Sequence, residues 1–575
     1  MKRKSAQKKR VFNSRLMWLF YIFLPLIALT LVINLFHIQV RNGSAFRDRA
    51  DNQYVVASYN AFERGSIYFT EKDGDQITAA GQKKGYKISI DASKVTDPEA
   101  LFIEMNKIIT IEDRDDFMRR VSSKKTYQEI LLQLSEDDAK ALKDELGSRV
   151  QLHTEKWRVY PLQNVASHVL GFLGYQGDDY AGRYGLERSY EDTLVRTDEN
   201  LYTNFFARIF HGVRDIVDTD TSLEGDIITT IEPQVQIFLE GKLREIQGRW
   251  SSQRTGGIIM NPRNGEIYAL GAVPGFNPND FSGASVEDFR NPMIEDVYEL
   301  GSILKPLVVA AAWDTGDINE LTTYNDTGSV VVGPHTIYNF DKKGRGVVTV
   351  QKILQDSLNT GMVYISQRID KDDFRDYFSR FGFGEQTGID LPNEGSGLTS
   401  NLNSNRDIEF ANMSFGQGIA ITPIAMVKAT SLLANKGMSI TPHLVKKIEY
   451  QNGLSNTIDS TDDGIQVIQS ETADEVSRML VNTFDAYNDG SSIIPNYSVA
   501  AKTGTAQIPS PDGGYYDDRN LHSFVGYFPA YDPKFIVFLY TYHPKGVRYS
   551  SQTLLNPFRD IAQYIINYYD IPPDR

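Results

Sequence analysis

Residues 16–36 read LMWLFYIFLPLIALTLVINLF, an apolar run without a formal charge that Ile38 and Val40 extend. A helix rising about 1.5 Å per residue would span about 30 Å over this run, the thickness of a bilayer's hydrocarbon core. Pro25 inside it is tolerable as a kink. A cleaved signal peptide has an apolar core of only about 7–15 residues followed by a small-residue site, and no such site follows here. The pattern predicts one uncleaved membrane anchor over 16–40. From 41 to about 225 the sequence is mixed and charged. Within it Ser135-x-x-Asp138 resembles a capping box, Ala139, Leu142 and Leu146 follow at helical spacing, and Gly147 supplies a stop. One small helix in a loop- and strand-rich region is expected, with 197–228 as a polar connection.

From about 226 apolar strand-like runs alternate with helical patterns. Gly256–Leu270 reads as a hairpin turning at Pro262–Gly265, and 303–313 (ILKPLVVAAAW) as a helix buried on most sides. Ser498–Ile508, Ser523–Phe528 and Phe535–Tyr542 read as three strands, and Phe558, Ile561 and Ile565 mark one face of a final helix. Hairpins mixed with helices predict an α/β protein of the α+β type, with an antiparallel or mixed sheet covered by helices.

Charge fixes the orientation. Residues 1–15 carry seven Lys and Arg and no acid, whereas the whole chain of 575 residues has net charge −14. The positive-inside rule places 1–15 in the cytoplasm and everything from about 41 onward outside. So acidic a chain is a poor candidate for binding nucleic acid. The absence of cysteine excludes disulfide scaffolds, thiolate metal sites and cysteine nucleophiles.

Three short patterns then follow in order. Ser302-Ile303-Leu304-Lys305 is S-x-x-K, Ser357-Leu358-Asn359 is S-x-N, and Lys502-Thr503-Gly504-Thr505 is K-T-G-T. Serine needs a base to become a nucleophile, and residues i and i+3 share a helix face, so Lys305 is placed to serve Ser302. Pro306 puts the helix start near Ser302. Lys305 works as a base only if its pKa falls well below about 10.4, and burial and a second cation, Lys502, would lower it. Ser357 offers a hydroxyl for passing a proton to a leaving amine, and Asn359 an amide for orienting a peptide bond. The K-T-G-T strand offers an edge for an extended peptide, with Gly504 admitting another backbone and Lys502, Thr503 and Thr505 holding a carboxylate. Backbone N–H groups of Ser302 and Thr505 would form an oxyanion hole. S-x-x-K recurs at Ser5–Lys8 and Ser122–Lys125, and S-x-N at Ser58–Asn60, so the ordered triple carries the information and no single member does.

That triple is the signature of penicillin-binding proteins and class A β-lactamases. The chain resembles a class B penicillin-binding protein, a monofunctional peptidoglycan D,D-transpeptidase, over nearly its whole length. Arg64-Gly65-Ser66-Ile67, Arg158-Val159-Tyr160-Pro161, His168-Val169-Leu170-Gly171, Gly185-Leu186-Glu187, Tyr298–Ser302, Thr387–Pro392, Gly416-Gln417-Gly418 and Thr422-Pro423 all match the family pattern. Leu300 stands where the family usually has proline, which questions the rigidity of the approach to Ser302. After Ile67 the family's usual Asp-Arg pair is absent. Glu112–Phe117 is a near miss to a glycosyltransferase motif, with Phe one place late and no His following.

The resemblance implies a penicillin-binding, serine β-lactamase-like transpeptidase domain over 226–575 and a non-catalytic, dimerisation-like pedestal over 41–225. Before them lie the anchor at 16–40 and the cytoplasmic tail at 1–15. It implies Ser302 as acyl-enzyme nucleophile, with Lys305, Ser357, Asn359 and Lys502 catalytic, Thr503, Gly504 and Thr505 substrate-binding, and no metal or other cofactor. Expected partners are peptidoglycan stem peptides, β-lactams, a membrane-embedded glycan polymerase and other wall-synthesis proteins, at the cell membrane in a cell-shape or division role. A D,D-carboxypeptidase, a serine β-lactamase and a non-catalytic scaffold are the alternative readings.

Overall fold

The structure, a computed structural model, describes residues 63–176, 179–196, 224–458 and 464–575. The expected cytoplasmic tail, the membrane anchor, and residues 197–223 of the expected connection lie outside the described residues. No helix among the described residues is long and apolar enough to cross a membrane.

The chain divides into two units. Of the described residues, 84–157 fall in the smaller, and 63–83 and 158–575 in the larger. The smaller unit holds helices Pro98–Asn106, Arg114–Val121 and Glu136–Leu146, two more than the capping signal at Ser135 predicts. Ser135 Oγ does accept from Asp138 N (3.1 Å), and Gly147 ends that helix at φ 57°. The two unforeseen helices start on Asp97 and Asp113, whose carboxylates accept from Ala100 N and Asp116 N. Asp113 and Phe117, the core of the glycosyltransferase near miss, are thus a helix cap and a buried core side chain.

In the larger unit, residues 225–229 form a strand, Gly225–Thr229, where the sequence predicts the end of a connection. It pairs antiparallel with Val445–Tyr450 and parallel with Ile67–Thr70, partners too remote in sequence to be read from local pattern. The central elements are α1 (Pro233–Trp250), β1 (Arg254–Met260), β2 (Ile267–Val273), α2 (Lys305–Asp314), α3 (Asn359–Ser366), α4 (Pro423–Ala434), α5 (Ser470–Asp485), β3 (Ala500–Pro509), β4 (Tyr515–Phe528), β5 (Phe535–Tyr542) and α6 (Leu555–Tyr568). The strands form one antiparallel sheet in the order β2-β1-β5-β4-β3, which leaves β3 at an edge.

Strand alternation sends neighbours into two cores. Ile258, Phe538 and Tyr540 enter one with Leu307 and Val308 of α2 and Ile424 and Val427 of α4. Ile259, Val537 and Leu539 enter the other with Leu239 and Leu243 of α1 and Phe558 and Ile561 of α6. Helices therefore cover both faces, and the central strands are apolar at nearly every position.

Three of the resemblance segments meet in one buried cluster. Glu187 accepts from Arg64 Nε and Arg158 Nε (2.7 Å each) and from Tyr160 OH (3.2 Å). Arg158 Nη1 also donates to Gly65 O (2.6 Å). Burial opposes ionisation of Glu187, but the two guanidiniums overcome it and hold its carboxyl below the usual range.

Candidate active site

Gly301–Leu304 is a 3₁₀ turn that runs into α2 at Lys305. The sequence expectation of an α-helix starting near Ser302 is thus corrected: Pro306 lies in the first turn of α2, and the tighter turn precedes it. With about three residues per turn, positions 302 and 305 eclipse, so the side chains fall on one face as the spacing requires. The approach to Ser302 is fixed residue by residue. Tyr298 pairs with Ile421, Glu299 Oε1 accepts from Gly418 N (2.9 Å), Leu300 O from Ser523 Oγ (2.7 Å), and Gly416 O from Gly301 N (3.2 Å). Leu300, standing where the family has proline, is held by its carbonyl and buried side chain.

Lys305 and Lys502 are both fully buried, and neither has an acidic partner within 4.0 Å among the described residues. Lys305 Nζ donates to Ser357 O (2.7 Å), Ser357 Oγ (3.1 Å) and Asn359 Oδ1 (2.8 Å). Lys502 Nζ donates to Ser357 Oγ (3.1 Å) and Thr503 O (3.1 Å). Burial, and after it the Lys502 charge, push Lys305 well below the ordinary lysine range. Burial pulls Lys502 down to about 7. Ser357 holds its hydroxyl between the two amines from a left-handed backbone (φ 53°), a conformation that costs a non-glycine residue about 1–2 kcal/mol. Asn359 opens α3, and its Nδ2 donates to Tyr338 O (3.2 Å), leaving one amide hydrogen for a substrate.

The edge strand β3 carries Lys502–Thr505. Thr503 N donates to Tyr487 OH (3.2 Å), away from β4, so the N–H of Thr505, two residues on, leaves the same edge. That places it where the expected oxyanion hole needs a donor. Gly504 does admit another backbone, but that backbone belongs to this chain: a Cβ would lie 2.6 Å from Leu300 O and 2.2 Å from Ser523 Oγ. Its role is to let the Ser302 turn press against the sheet. Lys502 reaches Ser357, not the cleft, which leaves Thr503 and Thr505 as the hydroxyls facing a substrate carboxylate.

Ser302, Ser357, Asn359, Thr503 and Thr505 line one cleft of about 1070 Å³. Its opposite wall comes from the segment 323–349, where Thr323–Asp326 pairs with Gly346–Thr349 and Ser329–Val332 with His335–Tyr338. Phe340 of that wall meets Tyr549 at 5.6 Å between ring centroids. Of the supporting groups Tyr487, Ser523 and Glu299, the first two are invisible to motif reading. Only Glu299, three residues before Ser302, carried a positional signal.

Residues 255–563 match the penicillin binding protein transpeptidase domain, and residues 60–202 the penicillin-binding protein dimerisation domain. Stage V sporulation protein D of Bacillus subtilis is 28% identical over 86% of this chain and 76% of its own length. Peptidoglycan D,D-transpeptidase MrdA of Acinetobacter baumannii is 25% identical over 92% and 85%. Peptidoglycan D,D-transpeptidase FtsI of Escherichia coli is 26% identical over 74% and 69%. A crystal structure of penicillin binding protein 3 from Mycobacterium tuberculosis complexed with aztreonam shares the fold, with TM-score 0.68 at 21% identity, covering 89% of this chain and 97% of that one.

Proposed function

The chain belongs to the penicillin-binding protein transpeptidase family, and on that premise we propose that it is a class B member acting as a peptidoglycan D,D-transpeptidase through a Ser302 acyl-enzyme. The observation that carries the chemistry is the Ser357 hydroxyl held between two buried lysine amines in the cleft that Ser302 also lines. Neutral Lys305 takes the Ser302 proton as Oγ attacks the carbonyl of the penultimate D-Ala of a stem peptide. The oxyanion develops toward the backbone N–H groups of Ser302 and Thr505. The C–N bond breaks, and the terminal D-Ala leaves as an amine after receiving a proton through Ser357. An amine from a neighbouring stem peptide then attacks the ester, forms the cross-link and frees Ser302. The edge of β3 pairs with the donor peptide, whose terminal carboxylate meets Thr503 and Thr505.

Penicillins, cyclic mimics of this donor, acylate the same serine. The run 16–40 anchors the chain at the cell membrane with 1–15 in the cytoplasm and the catalytic domain outside, supported by length, hydropathy and flanking charge. The pedestal is the surface for a membrane-embedded glycan polymerase and other wall-synthesis proteins. A fluorescent penicillin labels the full-length protein covalently, and Ser302→Ala abolishes the label. Labelling that persists in Ser302→Ala overturns the assignment. Product analysis with donor and acceptor stem peptides separates cross-linking from hydrolysis.

A further inference from the structure

Asp326 is a carboxylate at 2% exposure with no cationic side chain within 4.0 Å among the described residues. Uncompensated buried charge is costly, so its neutral donors must account for it. Its Oδ1 accepts from Gly328 N (3.0 Å), Asn339 Nδ2 (2.9 Å) and Thr360 Oγ1 (2.8 Å). Its Oδ2 accepts from Asn339 Nδ2 (3.0 Å) and Arg345 N (3.0 Å). Each of these groups can donate, so backbone and side-chain donors occupy both carboxyl oxygens.

The donors belong to two segments that meet at the catalytic asparagine. Residues 359 and 360 face residues 338 and 339 in two rungs. Asn359 Nδ2 donates to Tyr338 O (3.2 Å), and Thr360 N donates to Asn339 Oδ1 (3.2 Å). Asp326 grips both members of the second rung, through Asn339 Nδ2 and Thr360 Oγ1. The first rung sets which way the Asn359 carboxamide faces, and hence that Oδ1, not Nδ2, meets Lys305 Nζ at 2.8 Å.

We propose that Asp326 is a positioning residue for the acylation step: through Asn339 and Thr360 it locks the second rung and so fixes the Asn359 carboxamide against Lys305 and the substrate. The inference rests on the reading of Ser302 as the acylated nucleophile. Without Asp326, Asn339 and Thr360 lose their common acceptor, the wall segment parts from α3, and the Asn359 amide is free to turn. A turned amide replaces the Oδ1 acceptor of Lys305 Nζ by N–H donors, which compete for the lone pair that must take the Ser302 proton.

The test measures the penicillin acylation rate on full-length, detergent-solubilised protein, with saturation kinetics to separate binding from acylation. Thr360→Val removes one link at nearly constant shape, and Asp326→Asn turns one acceptor into a donor. Both are expected to slow the acylation step about 10- to 100-fold, as small misplacements of catalytic groups do, with little change in penicillin binding. In an Asn359→Ala background neither is expected to slow it further, because the group they position is gone. Wild-type rates in both variants, or the same fold loss with and without Asn359, overturn the proposal, the latter by showing an effect on the fold at large. Should Asp326→Asn fail to fold, Thr360→Val decides alone. Labelling of wild type and its loss in Ser302→Ala judge the underlying reaction separately, so the two failures are distinguishable.

Discussion

Lys305 Nζ and Lys502 Nζ each lie 3.1 Å from the same atom, Ser357 Oγ. Two ammonium groups cannot comfortably share one buried hydroxyl, so the arrangement favours at least one neutral amine. A neutral amine can take the Ser302 proton, and the geometry therefore selects the protonation state the reaction needs.

The acylation rate follows from that selection. Lys305 charges as pH falls through its depressed pKa, and the base is then lost. The penicillin acylation rate is expected to rise with pH and level off with a midpoint well below the ordinary lysine value of about 10.4. Lys305→Ala removes the base and should cost about 10²- to 10⁴-fold. In Lys502→Ala the residual acylation should have its midpoint moved upward, since the second cause of the Lys305 depression is gone. An unmoved midpoint would show that burial alone sets the Lys305 pKa.

Stability should rise with pH, as activity does, for a separate reason. Lys502 is held at about 7 in the folded protein, whereas an unfolded lysine titrates near 10.4. Between those values the unfolded chain binds the extra proton, so the cost of burying Lys502 is fully present below about 7 and fades as pH rises toward 10.4. Lys502→Met, apolar and of similar length, is expected to raise the melting temperature at pH 7 while slowing acylation. The gain over wild type should shrink between pH 7 and 10, as scanning fluorimetry across that range would measure.

The chemistry of this site was legible because it resides in residue types at short spacings, and the three motifs do converge on one cleft. Apolar strand-like runs and final-helix spacing likewise anticipated β1 to β5 and α6. Elements held by remote partners were not legible. Gly225–Thr229 is a strand because Ile67 and Ile448 lie beside it, and nothing within 197–228 announces that. Asp326, Tyr487 and Ser523 act on the site from 24 to 221 residues after Ser302, through hydrogen bonds without any sequence pattern. The helices after Asp97 and Asp113 were missed although their caps stand in the sequence, since runs of nine and eight residues give too few turns for a periodic signal.

The resemblance segments far from the cleft have a structural consequence. Glu187→Gln leaves Arg158 buried with its charge uncompensated and Arg64 with Glu191 as its remaining acid, and should cost about 3–5 kcal/mol. Because the folded protein holds Glu187 below the ordinary carboxylate range, its contribution is present above about pH 4.3 and is lost as pH falls through the depressed value. The difference in denaturation midpoint between wild type and Glu187→Gln should therefore be largest near neutral pH and narrow in acid. Acylation by the folded fraction should be unchanged. A neutral-pH difference under about 1 kcal/mol would mean the two arginines find other partners.

Gly504→Ala tests whether the sheet and the nucleophile turn must touch. The added Cβ would meet Ser523 Oγ at 2.2 Å and Leu300 O at 2.6 Å, both far inside contact distance. Ser523 can rotate away, although that breaks its 2.7 Å bond to Leu300 O. Leu300 O is backbone and cannot, because Glu299 and Gly301 on either side are tied to Gly418 and Gly416. The strain must therefore be relieved by displacing the Ser302 turn from β3. That separates the Ser302 and Thr505 N–H groups and opens the oxyanion hole. Loss of one such donor costs about 10²- to 10³-fold, so acylation should fall by at least that factor. Gly504→Ala/Ser523→Ala removes the side-chain overlap but keeps the backbone overlap, and should remain impaired. Recovery of wild-type acylation in the double variant would place the whole clash on the Ser523 hydroxyl and show that the Ser302 turn needs no direct contact with the strand.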